Sequence, residues 1–387
     1  MEWAVDRGLI SGHSPQPTAH SPPPTAKLQL PMPGPTEFVV TLALSTDSEL
    51  RKRYMVIDDP VRGNVRFGLL LEVLDKLAEE AALAYVRESF PDARVVTAAI
   101  DNIYVRSAAD VKRDLVFGAR INFVGRTSME VGIRVEHPAT ATEPAAHIAS
   151  CYFTMVARST ADDGAHSAHS LVLPVFQPGD GLGERRWQRA IARREAYRKG
   201  LQQAQEPPSR QEYALLTELH TAQDERGFDG LMASRCVTES WDRTYPEHEN
   251  VPEKIFGGHL IRRAYEQSSI CAEEVAPNRQ IIVAVNRINF VQPVRMGDKL
   301  HLVSRAVYSG DCSVCVETDI MRISRDRKQI NLSNACVFTF VNVDDELRPQ
   351  AVPRIHPTTY KEDAAYLAAH RRRLEHVRHM AAKRGTA

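Results

Sequence analysis

The chain has 387 residues, a length that suggests about two to three domains, and its 43% hydrophobic and 25% charged residues exclude a disordered or fibrous protein. Its 49 basic and 49 acidic side chains cancel, which argues against a broad electrostatic surface for nucleic acid, and no apolar run approaches the roughly 20 residues that span a bilayer. Six cysteines are too sparse for a disulfide framework in a chain of this size and point to a reducing compartment.

Residues 1–35 are expected to be a disordered tail, because a stretch rich in Pro, Ser, Thr and His cannot bury a core. The stretch lacks the apolar segment of a secretory signal. Glu2 and Asp6 come early and Arg7 is the only arginine before residue 50, unlike an Arg-rich, acid-poor transit peptide. The expected location is therefore cytoplasmic, with the mitochondrial matrix as the alternative. A first domain is expected over 36–158. After the turn Val65-Arg66-Phe67-Gly68, the spacing predicts a helix over Leu69–Glu88 that is apolar over most of its surface and therefore buried. Strand patterns follow at Arg94–Val105, Asp114–Val124, Ser128–Glu136 and His147–Ala157. Residues 159–234 read as a linker carrying two charged helices, Gly183–Gln205 and Ser209–Gln223, split by Pro207-Pro208. A second domain, 235–350, repeats the first: a helix at His259–Val275, then strands at Gln280–Phe290, Lys299–Tyr308, Ser313–Ile323 and Asn331–Val341. The chain closes with a basic helical segment within 351–387, where Arg371-Arg372-Arg373 reads as a solvated face rather than an anion site.

The two domains share one register. Cys151-Tyr152-Phe153-Thr154 falls on Cys336-Val337-Phe338-Thr339 at an offset of 185, which also pairs Ile103 with Ile288, Leu115 with Leu300 and Ser128 with Ser313. Upstream the offset is 190, placing Val65-Arg66-Phe67-Gly68 on Ile255-Phe256-Gly257-Gly258. A period this long means duplication of a whole domain, not a solenoid. One buried helix followed by a meander of long antiparallel strands is an α+β unit whose sheet wraps around a central helix.

The segment from Tyr245 through Asn250-Val251 and Phe256-Gly257-Gly258 to Tyr265-Glu266 resembles the signature of hotdog-fold acyl-CoA thioesterases. Together with Val65–Asp75, it is similar to the mitochondrial acyl-CoA thioesterase 9 subgroup. The resemblance covers roughly residues 45–160 and 230–370. It implies a tandem hotdog that hydrolyses fatty acyl-CoA to free fatty acid and CoA, with no cofactor or metal and with acyl-CoA as partner. It also implies a homo-oligomer, with a trimer as the suggested order. The alternatives are a non-catalytic acyl-CoA-binding or regulatory module and a hotdog dehydratase; the second is disfavoured by the lack of an Asn-Pro dipeptide.

Thioester hydrolysis needs donors for a developing oxyanion, and backbone N–H groups at a helix N-terminus supply them. Gly257-Gly258 can do so without a Cβ in the way. Water must also be activated. Asp75 sits seven residues after Gly68, at the margin of the apolar helix face and where the family carries its acid; it is assigned as general base or nucleophile. Asn250 matches the family's asparagine. The second copy departs: Tyr265 stands where Asp75 does, and Pro60 where Asn250 does. The expectation is one composite site of Asp75, Asn250, Gly257 and Gly258, the carboxylate from one domain and the rest from the other. Asn64 with Glu266 is a possible second site. His259, Arg287, Arg295 and Lys299 are candidate substrate contacts, the cations for CoA phosphates, and Arg51-Lys52-Arg53 is a weaker one. The Cys312/Cys315 pair is rejected as a metal site because residues three apart on a strand face opposite sides. Gly179–Gly183 is assigned to linker, since it lacks the Lys-Ser/Thr of a phosphate loop.

Overall fold

A computed structural model describes residues 37–59, 61–159, 169–179, 181–203, 206–251, 254–286 and 288–384, with backbone alone for 200–203, 249–251, 254 and 376–384. The expected tail, Pro60 and Arg287 lie outside the described residues, as does the side chain of Asn250. In chain order the elements are β1 (Phe38–Leu42), α1 (Ser48–Tyr54), α2 (Phe67–Arg87), β2 (Arg94–Ile100), β3 (Ile103–Val105), β4 (Leu115–Val124), β5 (Ser128–His137) and β6 (Ala146–Arg158). Next come α3 (Gly181–Gln203), α4 (Arg210–Ala222), β7 (Leu231–Met232), β8 (Val237–Arg243), β9 (Glu249–Val251), β10 (Lys254–Ile255) and α5 (Gly257–Val275). The remainder is β11 (Arg279–Val285), β12 (Ile288–Asn289), β13 (Lys299–Ser309), β14 (Ser313–Ile323), β15 (Ile330–Val343), β16 (Ile355–His356) and α6 (Tyr360–Arg384).

One antiparallel sheet carries both halves, in the order β1-β4-β5-β6-β3-β11-β15-β14-β13-β8. The halves meet where β3 pairs β11 and where β12 pairs β2. Helix α2 lies on the strands of the first half and α5 on those of the second, and the two helices pack on each other. A long helix laid across an antiparallel sheet is the hotdog arrangement. Helix α2 is buried because its surface is apolar almost all round: Leu71, Leu74, Leu77, Ala78, Ala81 and Ala82 are each 2% exposed or less. The register offset of 185 holds in the fold. A bulge between Thr97 and Ala99 opposite β6 recurs between Ile282 and Ala284 opposite β15.

Three features differ from the sequence-based expectation. Each half of the sheet has an edge strand in front of its helix, β1 on β4 and β8 on β13, that alternation in these short polar-flanked runs did not reveal. The long strands expected at 94–105 and 280–290 are each broken in two, and the second piece of each crosses to the other half. Gly181 and Gly183 belong to the first turn of α3 rather than to a linker.

The charged helices lie on the outer faces. On the first half of the sheet, Arg193 of α3 ion-pairs the buried Glu130 at 2.5 Å and sits 3.6 Å over the Tyr152 ring. On the second, α4 and α6 enclose an apolar cluster with Val307, Tyr308 and Cys315. Arg371 pairs with Glu212 at 2.6 Å and Arg373 donates to Ser313 Oγ at 2.9 Å, so these two arginines of the basic run tie the helix down. Among the described residues no helix is long and apolar enough to cross a membrane.

Candidate active site

The α2–α5 contact is close because each helix opens on a glycine. A Cβ on Gly258 would lie 3.1 Å from the Cα of Glu72 on α2 and 2.6 Å from the Phe256 ring. A Cβ on Gly68 would lie 3.0 Å from Cγ of Arg262 and 3.2 Å from the Tyr265 ring on α5. Gly68 and Gly258, Glu72 and Arg262, and Asp75 and Tyr265 are all 190 positions apart. The helix pair is therefore a two-fold arrangement with different chemistry at its two ends.

At one end stands Asp75. It is 1% exposed, deeper than a position at the margin of the apolar face suggests, because α5 covers the flank that α2 alone would leave open. The Gly258 N–H donates to its Oδ2 at 2.6 Å, and the Thr97 hydroxyl donates to its Oδ1 at 2.6 Å. Burial pushes the carboxyl up to about 6, against the opposing pull of those two hydrogen bonds. The result is a carboxylate that ionises near neutrality, oriented at both oxygens and set against the N-terminus of α5. Such a group can take a proton from water in the physiological range. Gly257 completes the turn: a Cβ there would lie 3.2 Å from Asp75 Oδ2 and 3.0 Å from the Phe290 ring. The sequence predicts that both glycine amides face a thioester oxygen. The Gly258 amide is instead taken by Asp75, whereas the Gly257 N–H has no acceptor among the described residues.

Asn250 lies on β9, whose hairpin with β10 leads directly into Gly257. His259 stacks on His248 with ring centroids 3.8 Å apart and stands 3.8 Å from Glu72. Burial, with the neighbouring His248, lowers its pKa to about 4, so it is neutral near pH 7. Arg295 is exposed in a loop where its own N–H donates to Asp298 Oδ2 at 2.9 Å. Lys299 opens β13 opposite Arg243, in a pocket of its own.

Thr97 was not foreseen. Its counterpart at the 185 offset is Ile282, so the hydroxyl, like the carboxylate it serves, occurs in one half only. That shared asymmetry was the available signal.

The other end of the helix pair is filled. The Tyr265 ring packs against Phe67, Phe338 and Phe340 at centroid distances of 5.5, 5.7 and 5.9 Å. The possible second site is corrected on two counts. Asn64 is buried and clamps the preceding loop: its Oδ1 accepts from the N–H of Val56 and of Ile57 at 3.0 and 3.2 Å, and its Nδ2 donates to the carbonyls of Ile57 and Asp59. Glu266 binds Arg262 at 2.9 Å, Arg263 at 3.1 Å and Arg66 at 3.5 Å. Neither side chain is left to act on a substrate.

The sequence matches the thioesterase superfamily over residues 63–142 and 255–327, segments that contain Asp75 and both glycines. The chain belongs to this superfamily. Human mitochondrial acyl-coenzyme A thioesterase 9 is 27% identical over 348 residues, covering 86% of this chain and 75% of that protein. Protein VdlD of Helicobacter pylori is 30% identical over 165 residues, covering 42% of this chain and 88% of that protein. An acyl-CoA hydrolase from Staphylococcus aureus is similar at 25% identity with a TM-score of 0.37, covering 40% of this chain and 96% of that chain.

Proposed function

We propose that this protein is an acyl-CoA thioesterase: a tandem hotdog, arisen by duplication, that hydrolyses fatty acyl-CoA at one composite site between its halves. The carrying observation is the 2.6 Å hydrogen bond from the Gly258 N–H of α5 to the Asp75 carboxylate of α2. Superfamily membership, the relatives that match 86% of this chain and the resemblance at Asn250-Val251 support the same reading.

Asp75 is the general base. Both its oxygens already accept a hydrogen bond, which steadies the carboxylate and makes it a poorer nucleophile while leaving a lone pair to receive a proton. It takes one proton from water as the hydroxyl adds to the thioester carbonyl. The Gly257 N–H, at the positive end of α5, stabilises the oxyanion. Asn250 positions the water or the carbonyl. When the C–S bond breaks, the proton on Asp75 passes to sulfur, giving free fatty acid and the CoA thiol. These steps call on no cofactor or metal. The mitochondrion is the compartment that these relatives' names favour over the cytoplasm, and self-association is the expected state, its order to be read by light scattering.

The test is thiol release from a series of acyl-CoAs by wild type and by Asp75→Asn. Release by wild type that the variant loses supports the assignment. Equal release by both overturns the role of Asp75, and no release by wild type overturns the activity.

A further inference from the structure

The outer face of the second half's sheet is covered by helices at one end only, where α4 and α6 pack over Val307, Tyr308 and Cys315. Towards the other end, two rows of side chains cross β8, β13, β14 and β15 on that face. One is Trp241-His301-Met321-Leu332, and the next is Arg243-Lys299-Ile323-Ile330. Trp241 lies flat on His301, with ring centroids 4.2 Å apart and planes 10° from parallel. Trp241 and Ile330 are each 64% exposed, and Leu332 is 37% exposed.

Cations of one sign border this apolar band. Arg243, Lys299, Arg325 and Arg327 line an open cavity of about 340 Å³ with Gly297. None of the four side chains makes an ion pair or a side-chain hydrogen bond among the described residues. The nearby carboxylates are engaged elsewhere: Asp298 by Arg322, Asp242 by Arg263, Glu239 by His301 and Asp326 by Ser324. Arg327 stands at the tip of the β14–β15 hairpin with φ +61°, a left-handed conformation that favours glycine, so a cation is held there at a conformational cost.

The duplicated scaffold does not require this surface. The offset of 185 places His301, Met321 and Leu332 on Val116, Glu136 and His147, which pair in the same register and continue to Thr41 on the edge strand β1. It places Lys299, Arg325, Arg327 and Lys328 on Asp114, Thr140, Thr142 and Glu143. The first half is therefore neutral or acidic where the second is basic, and polar where the second is largely apolar. Unpaired cations beside an exposed indole and exposed aliphatic side chains match a bilayer surface: phosphates meet the cations while the apolar groups enter the interfacial layer. A second copy docked about a two-fold axis would set these cations against themselves. A nucleic acid would use the cations and leave Ile330 and Leu332 without a partner.

We propose that this face docks the protein on an anionic membrane surface, with the four cations of the cavity against lipid phosphates and Trp241, Ile330 and Leu332 in the interfacial layer. The docking is peripheral and independent of the reaction at Asp75.

Flotation of the full chain with lipid vesicles decides it. The vesicles are phosphatidylcholine alone and an equal mixture of phosphatidylcholine and phosphatidylglycerol, offered to wild type, Trp241→Phe, Leu332→Asp and the double variant Arg243→Glu/Arg325→Glu. Wild type should float with the anionic vesicles only, less as salt is raised, and its tryptophan emission should move to the blue. Trp241→Phe should lose that emission shift. The double variant should bind roughly tenfold more weakly or worse, and Leu332→Asp severalfold more weakly, with circular dichroism and denaturant midpoints at their wild-type values. No flotation, equal flotation with both kinds of vesicle, or equal binding by wild type and the double variant overturns the surface. Inorganic phosphate that displaces the protein at matched phosphate concentration means a small-anion site, and RNA that moves Trp241 emission as the vesicles do means a nucleic-acid site; either overturns the assignment to lipid. So does loss of an oligomer in the double variant by light scattering, which would make the face a contact between copies.

Discussion

Asp75 and Tyr265 occupy equivalent places on α2 and α5, 190 positions apart, and each faces the opening glycine of the other helix. Glycine at 68 and at 258 brings the two helices close at both ends. Divergence leaves a hydrogen-bonded carboxylate at one end and a ring among phenylalanines at the other. The proposed single site in a two-fold frame rests on that difference.

Asp75→Asn tests the base directly. Asparagine can accept from the Gly258 N–H and donate to Thr97 Oγ1, so the fold is kept, while the ability to take a proton is lost. Turnover of acyl-CoA should fall by about 10²–10⁴, with circular dichroism unchanged.

The pH dependence has a definite sign. Activity needs Asp75 ionised, so kcat/KM should rise through about pH 6. Stability runs the other way. Between the ordinary carboxyl value of 3.8 and about 6 the unfolded chain releases a proton that the folded chain keeps, so the folded state loses about 3 kcal/mol across that window as pH rises. His259, lowered to about 4, loses stability as pH falls through the same range and partly masks the effect. The difference in unfolding free energy between wild type and Asp75→Asn cancels the histidine and should carry the Asp75 slope alone. A flat difference from pH 4 to 7 would contradict the burial argument.

Thr97→Val removes one of the two donors to Asp75 without changing side-chain volume. The carboxylate loses a bond that favours its ionised form, so the acid limb of the rate profile should move to higher pH. Titrating kcat/KM for the two proteins measures the shift; coincident limbs would mean that the hydroxyl plays no part in tuning the base.

Much of the candidate site's geometry was legible in the sequence, and the residues show where legibility ends. Asp75 could be found because helical spacing from Gly68 is fixed and a carboxylate among Leu71, Ala78 and Ala82 is conspicuous. Gly257-Gly258 stood out for the same local reason. Thr97 did not, since one hydroxyl on a strand has no periodicity of its own and its partner is set by the packing of β2 under α2. Neither did the loss of the Gly258 amide to Asp75, which depends on the distance between two helices. Asn64 looked like a spare amide because its four hydrogen bonds go to backbone groups, which the sequence does not distinguish. The crossing of β3 and β12 is likewise a tertiary event, invisible in strand propensity.

Gly258→Ala should separate the helices. The added methyl meets the Glu72 backbone at 3.1 Å, which cannot swing away as a side chain can, as well as the Phe256 ring at 2.6 Å. Overpacking of this kind costs about 1–3 kcal/mol, and any widening also lengthens the Gly258–Asp75 bond. Denaturant midpoint and turnover should fall together. The same change at Gly227, around which nothing lies within 4 Å, is strained by its φ of +88° but should leave turnover intact.

Tyr265→Phe asks whether the second end is as inert as its packing implies. The ring still fills the space between Phe67, Phe338 and Phe340, and only the hydroxyl goes. Turnover should match wild type within twofold or so, about 0.4 kcal/mol, and stability should change by less than about 1 kcal/mol. Tyr265→Ala, by contrast, opens a cavity among those rings and should cost about 3–5 kcal/mol in unfolding free energy. The pair separates packing from chemistry: a large loss of kcat in the phenylalanine variant, with its denaturant midpoint unchanged, would assign the phenol a catalytic part and end the single-site account.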